Sequence, residues 1–323
     1  MAPGNTRNAE GGFRVAVTAI DNQTTQRRSR ARARLADFSS RWSFMLPAAI
    51  ILFAVLVYPI FYTVQISFAR LDLASFTASQ WVGWDNYSAV LRDDRFWQSM
   101  QVTGIYLLFA LPIQMILGFG IAYLINAPWK GRDLVRALFI IPMVVAPVVA
   151  GGVWRMILDP LWGLMNYWLG LAGIGPIDWL GTPSLAMATI VIIDTWRWTP
   201  FVILIATAAL LALPKDVFEA ADIDGANWWT KLWSIALPLL MPIIAATFVV
   251  RWLGAVKMFD IVLAATLGGP GGATNVINLF IYEQAFRTLR FAESSAMAVI
   301  VLIITMVLTG VFLFGIRKME DVQ

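Results

Sequence analysis

The sequence predicts an all-α membrane protein with six transmembrane helices, and three observations carry that prediction. Of its 323 residues, 59% are hydrophobic and only 14% are charged, where soluble domains average roughly 25% charged; mean hydropathy is +0.71. Six apolar stretches, at about residues 45–68, 99–125, 134–157, 184–211, 236–262 and 294–316, are each long enough to cross about 30 Å of hydrocarbon as a helix. Lys and Arg also alternate between dense and sparse across successive connections, the pattern of the positive-inside rule.

Taken in order, residues 1–44 are polar and basic and read as a disordered cytoplasmic tail. The run Arg27–Arg34 (RRSRARAR) is not the start of a signal peptide, because the following apolar span is too long and no small-residue cleavage site ends it. It suits contact with anionic lipid. Residues 45–318 form the membrane domain, and 319–323 a short cytoplasmic tail. With both termini placed in the cytoplasm, fifteen of the 24 Lys and Arg residues fall inside, seven outside, and Arg197 and Arg251 within spans. The clustering at membrane flanks argues against nucleic acid as the partner of this basic chain. The outer segment 69–98, with Trp81, Trp84, Tyr87 and Trp97, reads as a partly ordered cap rather than a bare connection. Residues 158–183 are too broken by Gly and Pro to span; they read as a short interfacial helix with Trp162, Tyr167, Trp168 and Trp179 in the aromatic belt.

The sequence has no Cys and no His, so disulfides, imidazole zinc sites, Ser-His-Asp triads and His proton relays are excluded within it. It also lacks a phosphate-cradling G-x4-GK[ST] sequence. No cofactor and no metal site is expected.

One polar segment between two apolar runs organises the rest. Within residues 214–238, Asp216, Glu219, Asp222 and Asp224 crowd together and Lys215 and Lys231 bracket them, a density that hydrocarbon would not accept. Pro214 suits a first helical turn, Asp216 and Glu219 favour the positive end of the helix dipole, and Gly225 ends or bends the helix. Val217, Phe218, Ala221 and Ile223 give it an apolar side, while Ala220, Ala221, Gly225 and Ala226 would admit a partner close to the backbone.

The spacing Glu219-Ala220-Ala221, Gly225, then Ile235-x-Leu237-Pro238 resembles the EAA loop of bacterial ABC importer permeases, the pattern EAA-x3-G-x9-I-x-LP without a gap. Phe259-Asp260, Thr266, Gly268-Gly269-Pro270, Thr274, Tyr282 and Ala285-Phe286, together with DTWRWTPF at Asp194–Phe201, resemble the sugar-importing branch, the carbohydrate-uptake family 1 (maltose-permease-like) proteins. The two matches cover residues 45–316. The resemblance implies an ABC importer permease (MetI-like) fold and a permease domain over 45–318. It implies that Glu219, Ala220, Ala221 and Gly225 couple the chain to two separate ATPase subunits, which bind ATP and Mg. It further implies a second permease subunit, usually a different polypeptide, an extracytoplasmic solute-binding protein, and a multi-pass location in the bacterial inner membrane. No long insertion between spans and no extended C-terminal tail is present, segments that some members use for extra contacts.

Substrate candidates follow from chemistry. Sugars stack on aromatic faces and need side chains for their hydroxyls, and polar groups within spans are functional suspects. Asp194, Trp196, Arg197, Trp198, Arg251 and Trp252 meet that description, with Asn278 beyond the GGP turn; Gln114, Asn126 and Asn275 are further candidates for hydroxyls, and each of these amides, Asn278 included, has a purely structural role as its alternative. Asp194 and Arg197, three apart on a helix, have an alternative as an ion pair that only holds the bundle together. Gly118 and Gly120 read as helix-packing positions. The cargo is expected to be an oligosaccharide, glycoside or polyol. A glycerophosphate ester or polyamine remains open, as do an ion-coupled secondary transporter and an intramembrane enzyme, although the carboxylates within spans are few for either of those classes.

Overall fold

The computed structural model describes residues 45–72, 77–126 and 130–320; the basic tail with its arginine run lies outside them, as do the final three residues of the expected C-terminal tail. The chain divides after Thr63 into two units. The described part of the first is most of α1 (Met45–Ser67), an apolar helix with a π-helical turn at Phe53–Val57.

In the second unit, the cap forms as expected. A two-stranded antiparallel hairpin, β1 (Ala69–Asp72) and β2 (Thr77–Trp81), is followed by α2 (Asp85–Leu91). Phe68 anchors it, with the Trp81, Trp84 and Tyr87 rings 5.3, 5.1 and 4.9 Å away. Asn86 donates to the carbonyls of Ser67 and Ala69, which fixes the exit from α1.

The long helices are α3 (Asp94–Asn126), α7 (Pro183–Leu211), α9 (Trp228–Ala255) and α12 (Phe291–Glu320). Shorter pieces are α4 (Arg132–Val144), α5 (Pro147–Ile157), α6 (Leu164–Leu171), α8 (Lys215–Ile223), α10 (Asp260–Ala265) and α11 (Ile277–Tyr282). The core sits where α3 and α7 pack, joined by α9, α10 and Leu279 of α11. That contact is close because Gly118 faces Val202: a Cβ at 118 would stand 2.4 Å from both Cβ and Cγ1 of Val202. Gly120 has open space at the same distance, so only Gly118 of the two is a packing position.

Two expectations need correction. The stretch 134–157 is not one straight helix but α4 and α5, bent by 100° at the break. Pro147 pushes Ala146 out of the helical region, and both Val145 and Ala146 are extended, with ψ of 129° and 139°. The fifth span starts at Trp228 rather than 236 and ends at Ala255. Its start is set by Asn227, whose side chain accepts from the Thr230 N–H at 2.9 Å, the arrangement that satisfies a first-turn donor. Residues 256–262, expected in the span, instead make a turn and enter α10. The described residues therefore hold five long apolar helices, or six with the bent pair as one span.

Candidate functional site

Two places concentrate function-bearing residues. The first is the 214–238 segment. α8 is closed by Asp224 and then Gly225, whose φ is +73°. Ala226 N–H bonds the Ala221 carbonyl at 2.9 Å and Gly225 N–H the Asp222 carbonyl at 3.1 Å. This pair of bonds around a left-handed residue is a Schellman cap, for which glycine carries no Cβ penalty. Phe218 packs against the Ala206–Leu240 cluster and Ala221 is buried, so one side of α8 is seated on α7 and α9. Ala221, expected to face a partner, is instead an inward contact. Glu219, Ala220 and Gly225 are exposed. So are Val217 and Ile223, the latter at 88%. Lys231 at the foot of α9 pairs with Asp222, and the rings of Trp228, Trp229 and Trp233 follow one another at 5.1 and 5.5 Å.

The second is a buried polar cluster across three helices. Asp194 of α7 accepts on one oxygen, Oδ2, from Tyr106 Oη at 2.7 Å, Gln114 Nε2 at 2.8 Å and Arg251 Nη2 at 3.3 Å. Arg251 Nε donates to Gln114 Oε1 at 2.9 Å, so the amide of Gln114 bridges the ion pair with its nitrogen toward the carboxylate and its oxygen toward the guanidinium. The Asp194 and Arg251 side chains are 3% and 2% exposed. Burying such a pair is tolerable only because its remaining donors and acceptors are largely met. Trp198, one turn along from Asp194, carries Arg251 Cζ at 4.3 Å from its ring centroid and Arg197 Cζ at 4.9 Å, within cation–π range.

This arrangement settles the helical Asp194–Arg197 pairing in the negative. Asp194 goes to Arg251, 57 residues on. Arg197 Nε instead donates to the carbonyl of Val145 at 3.1 Å, at the break between α4 and α5, where a helix end leaves carbonyls without partners. Asp194, Arg197 and Trp198 line a cavity of about 190 Å³ with Tyr106, Lys257 and Asp260. Arg251 stands beside it.

The other candidates lie elsewhere. Trp196 faces a separate cavity shared with Thr195 and Thr199 and packs edge-on against Trp154 at 5.6 Å. Trp252 is buried, its indole N–H on Thr309 Oγ1 at 3.2 Å. Asn278 donates to the Val256 carbonyl at 2.6 Å, and Asn275 donates to Glu283. Sequence reasoning missed Tyr106 and the cavity position of Lys257. Tyr106 stands eight residues before Gln114, a spacing that puts both on one helical face, and that was the available signal.

The bundle thus carries a capped, exposed helix between two long apolar helices and a polar cavity between its helices. Residues 114–320 match the family described as "Binding-protein-dependent transport system inner membrane component", and the chain belongs to it. A trehalose/maltose transport system permease protein, MalF, of Thermococcus litoralis is 33% identical over 91% of this chain and 97% of the relative. A sulfoquinovosyl glycerol transport system permease protein, SmoG, of Agrobacterium fabrum is 32% identical over 85% of this chain and 90% of the relative. Among solved structures, a chain of a bacterial ABC transporter involved in import of the acidic polysaccharide alginate superposes with a TM-score of 0.79. It is 21% identical and covers 88% of this chain and 99% of that one, a likeness of fold.

Proposed function

We propose that this chain is the permease subunit of an ATP-driven importer that carries a sugar or sugar-like solute into the cytoplasm. The observation that carries the reading is α8 itself. It is a short rigid helix with Glu219 outward, joined to α7 and α9, the two spans that supply Asp194 and Arg251 to the cavity. Tilting it moves the cavity walls. The names of the relatives support a sugar as cargo, and the family description supports delivery by a binding protein.

In this reading both termini and α8 face the cytoplasm, as the Lys and Arg count requires, and the protein lies in the bacterial inner membrane. A second permease subunit, a different polypeptide, supplies the other half of the pathway. Two ATPase subunits hold ATP and Mg, and a cleft on one of them receives α8, with Glu219 paired to a basic group and Gly225 giving the tight turn. Ala220 lets the ATPase surface approach the backbone, and Val217 and Ile223 add apolar area to that contact. Solute binding shifts outward and inward states only by its differential affinity for them, so nucleotide hydrolysis supplies the reversal.

The test is uptake into proteoliposomes holding the copurified complex, with the binding protein outside and ATP inside, using labelled trehalose and maltose. Uptake that needs ATP and vanishes in Glu219→Arg is the expected result. Uptake without nucleotide, driven by an ion gradient, overturns the reading.

A further inference from the structure

We infer that the cavity beside Trp198 is built for a solute carrying one acidic group, and that Arg197 is the residue that receives it. The inference rests on the sugar-importer reading and adds the charge of the cargo. It begins from the pairing the structure rearranges. Asp194, the carboxylate three residues before Arg197, turns its Oδ2 to Tyr106, Gln114 and Arg251. The Arg197 guanidinium has one acceptor among the described residues, the neutral Val145 carbonyl on Nε, and lies over the Trp198 ring. Among the described residues no carboxylate pairs with it.

The surroundings lean the same way. Lys257 lines the same cavity, again with no ion pair among the described residues. Arg251 has a buried Nη1 with no acceptor; it lies beside Gly254 of the cavity wall, 3.2 Å from where a Cβ there would stand. Against these cations the walls offer two carboxylates, Asp194, already committed, and Asp260. Lys257 and Asp260 are exposed beyond the end of α9 at Ala255, whereas Arg197 is half-buried within a span, where a cation without a carboxylate partner marks function by default. A carboxylate, sulfonate or phosphate supplies the missing partner, and a guanidinium can meet such a group through two parallel N–H bonds. The volume of about 190 Å³, room for about six waters at roughly 30 Å³ each, is on the scale of one sugar ring.

The assembled importer, purified with its partner subunits in nanodiscs, would be titrated calorimetrically with glucuronate, glucose and glycerol 3-phosphate, as wild type and as Arg197→Gln. Glucuronate should bind about tenfold or more tightly than glucose, the worth of one charged hydrogen bond. Arg197→Gln should bring the glucuronate-to-glucose affinity ratio down to about one, read as the ratio of the two constants within the variant. If Arg197→Gln does not assemble, Lys257→Gln makes the same comparison with a smaller expected loss. Equal affinities for the two sugars, or a preference untouched by these substitutions, would overturn the acidic-group inference while leaving a sugar importer standing. Binding of glycerol 3-phosphate through Arg197 with both sugars inert would keep the acidic group and remove the sugar. Silence from all three overturns both.

Discussion

The two function-bearing regions hold their polar groups in opposite ways. The Tyr106–Gln114–Asp194–Arg251 cluster joins three buried helix faces, where only Arg251 Nη1 of its buried polar atoms has no partner and a lost partner strands a charge. The α8 segment keeps its acids in the open and spends its order on the backbone, through the cap at Gly225. In the proposed mechanism one is a weld and the other a handle. A lever needs both: a handle a second protein can grip without unfolding it, and a weld that makes α3, α7 and α9 answer together.

The sharpest way to break that contrast is to remove the cation from the weld. Arg251→Met leaves Asp194 buried with two neutral donors and no counter-charge, which should cost about 3–5 kcal/mol. Adding Asp194→Leu should recover much of the loss, since a buried pair replaced by apolar groups of similar size is often neutral. Thermal unfolding of the three variants in nanodiscs measures this. A single substitution that costs less than about 1 kcal/mol would mean that water reaches the cluster and that it welds nothing.

A smaller loss is expected where the weld depends on shape alone. Gly118→Leu drives a side chain into Val202 across the α3–α7 contact and should cost about 1–3 kcal/mol through overpacking. Gly120→Leu, with open space before it, is the matched control and should change little. Equal effects at the two positions would show that α3 and α7 are not locked at 118.

Much of the handle was legible beforehand and little of the weld was, for a physical reason. A helix cap is local: Gly225, two residues past the end of α8, and Ala226 after it donate the two capping bonds to the last turn of the same helix, so the spacing of residues predicts them. The placement of Asp194 in a span with polar neighbours was also legible, but its partner was not. Helical spacing offers Arg197 and says nothing of Arg251, 57 residues away on another helix. The bend at Val145 was hidden for the same kind of reason. Pro142 lies within helix α4, and Pro147 opens α5, and apolar composition alone does not tell which proline breaks a span. Ala221 was misassigned because a small residue reads alike whether it faces a partner or, as here, the neighbouring helices.

The handle can then be tested without touching the weld. Gly225→Ala keeps open space around the new methyl but forces an L-residue to φ of +73°, a strain of about 1–2 kcal/mol. Gly225→Asn should be tolerated better, since Asn is the other residue found at this position of the cap. Both should fold. The ordering to look for is in ATP-driven uptake and in the amount of ATPase retained on purification: wild type, then Asn, then Ala. If the three are indistinguishable, the turn at Gly225 is not what a partner reads.

The smallest effect is expected at the join between handle and span. Lys231 at the foot of α9 pairs with Asp222 of α8, with side chains 19% and 64% exposed. A pair so open to solvent contributes roughly 0.2–1 kcal/mol, far less than the buried pair. Lys231→Gln should therefore leave the unfolding temperature nearly unchanged. Under the proposed mechanism, α8 would lose this contact at little cost if its spans tilt, while the seating of Phe218 and the cap hold it in shape. Raising salt should mimic the substitution, because exposed pairs are screened over about a Debye length, roughly 10 Å at 0.1 M. A large destabilisation by Lys231→Gln would instead make this pair a second weld, and α8 would then have to move with α9 as one body.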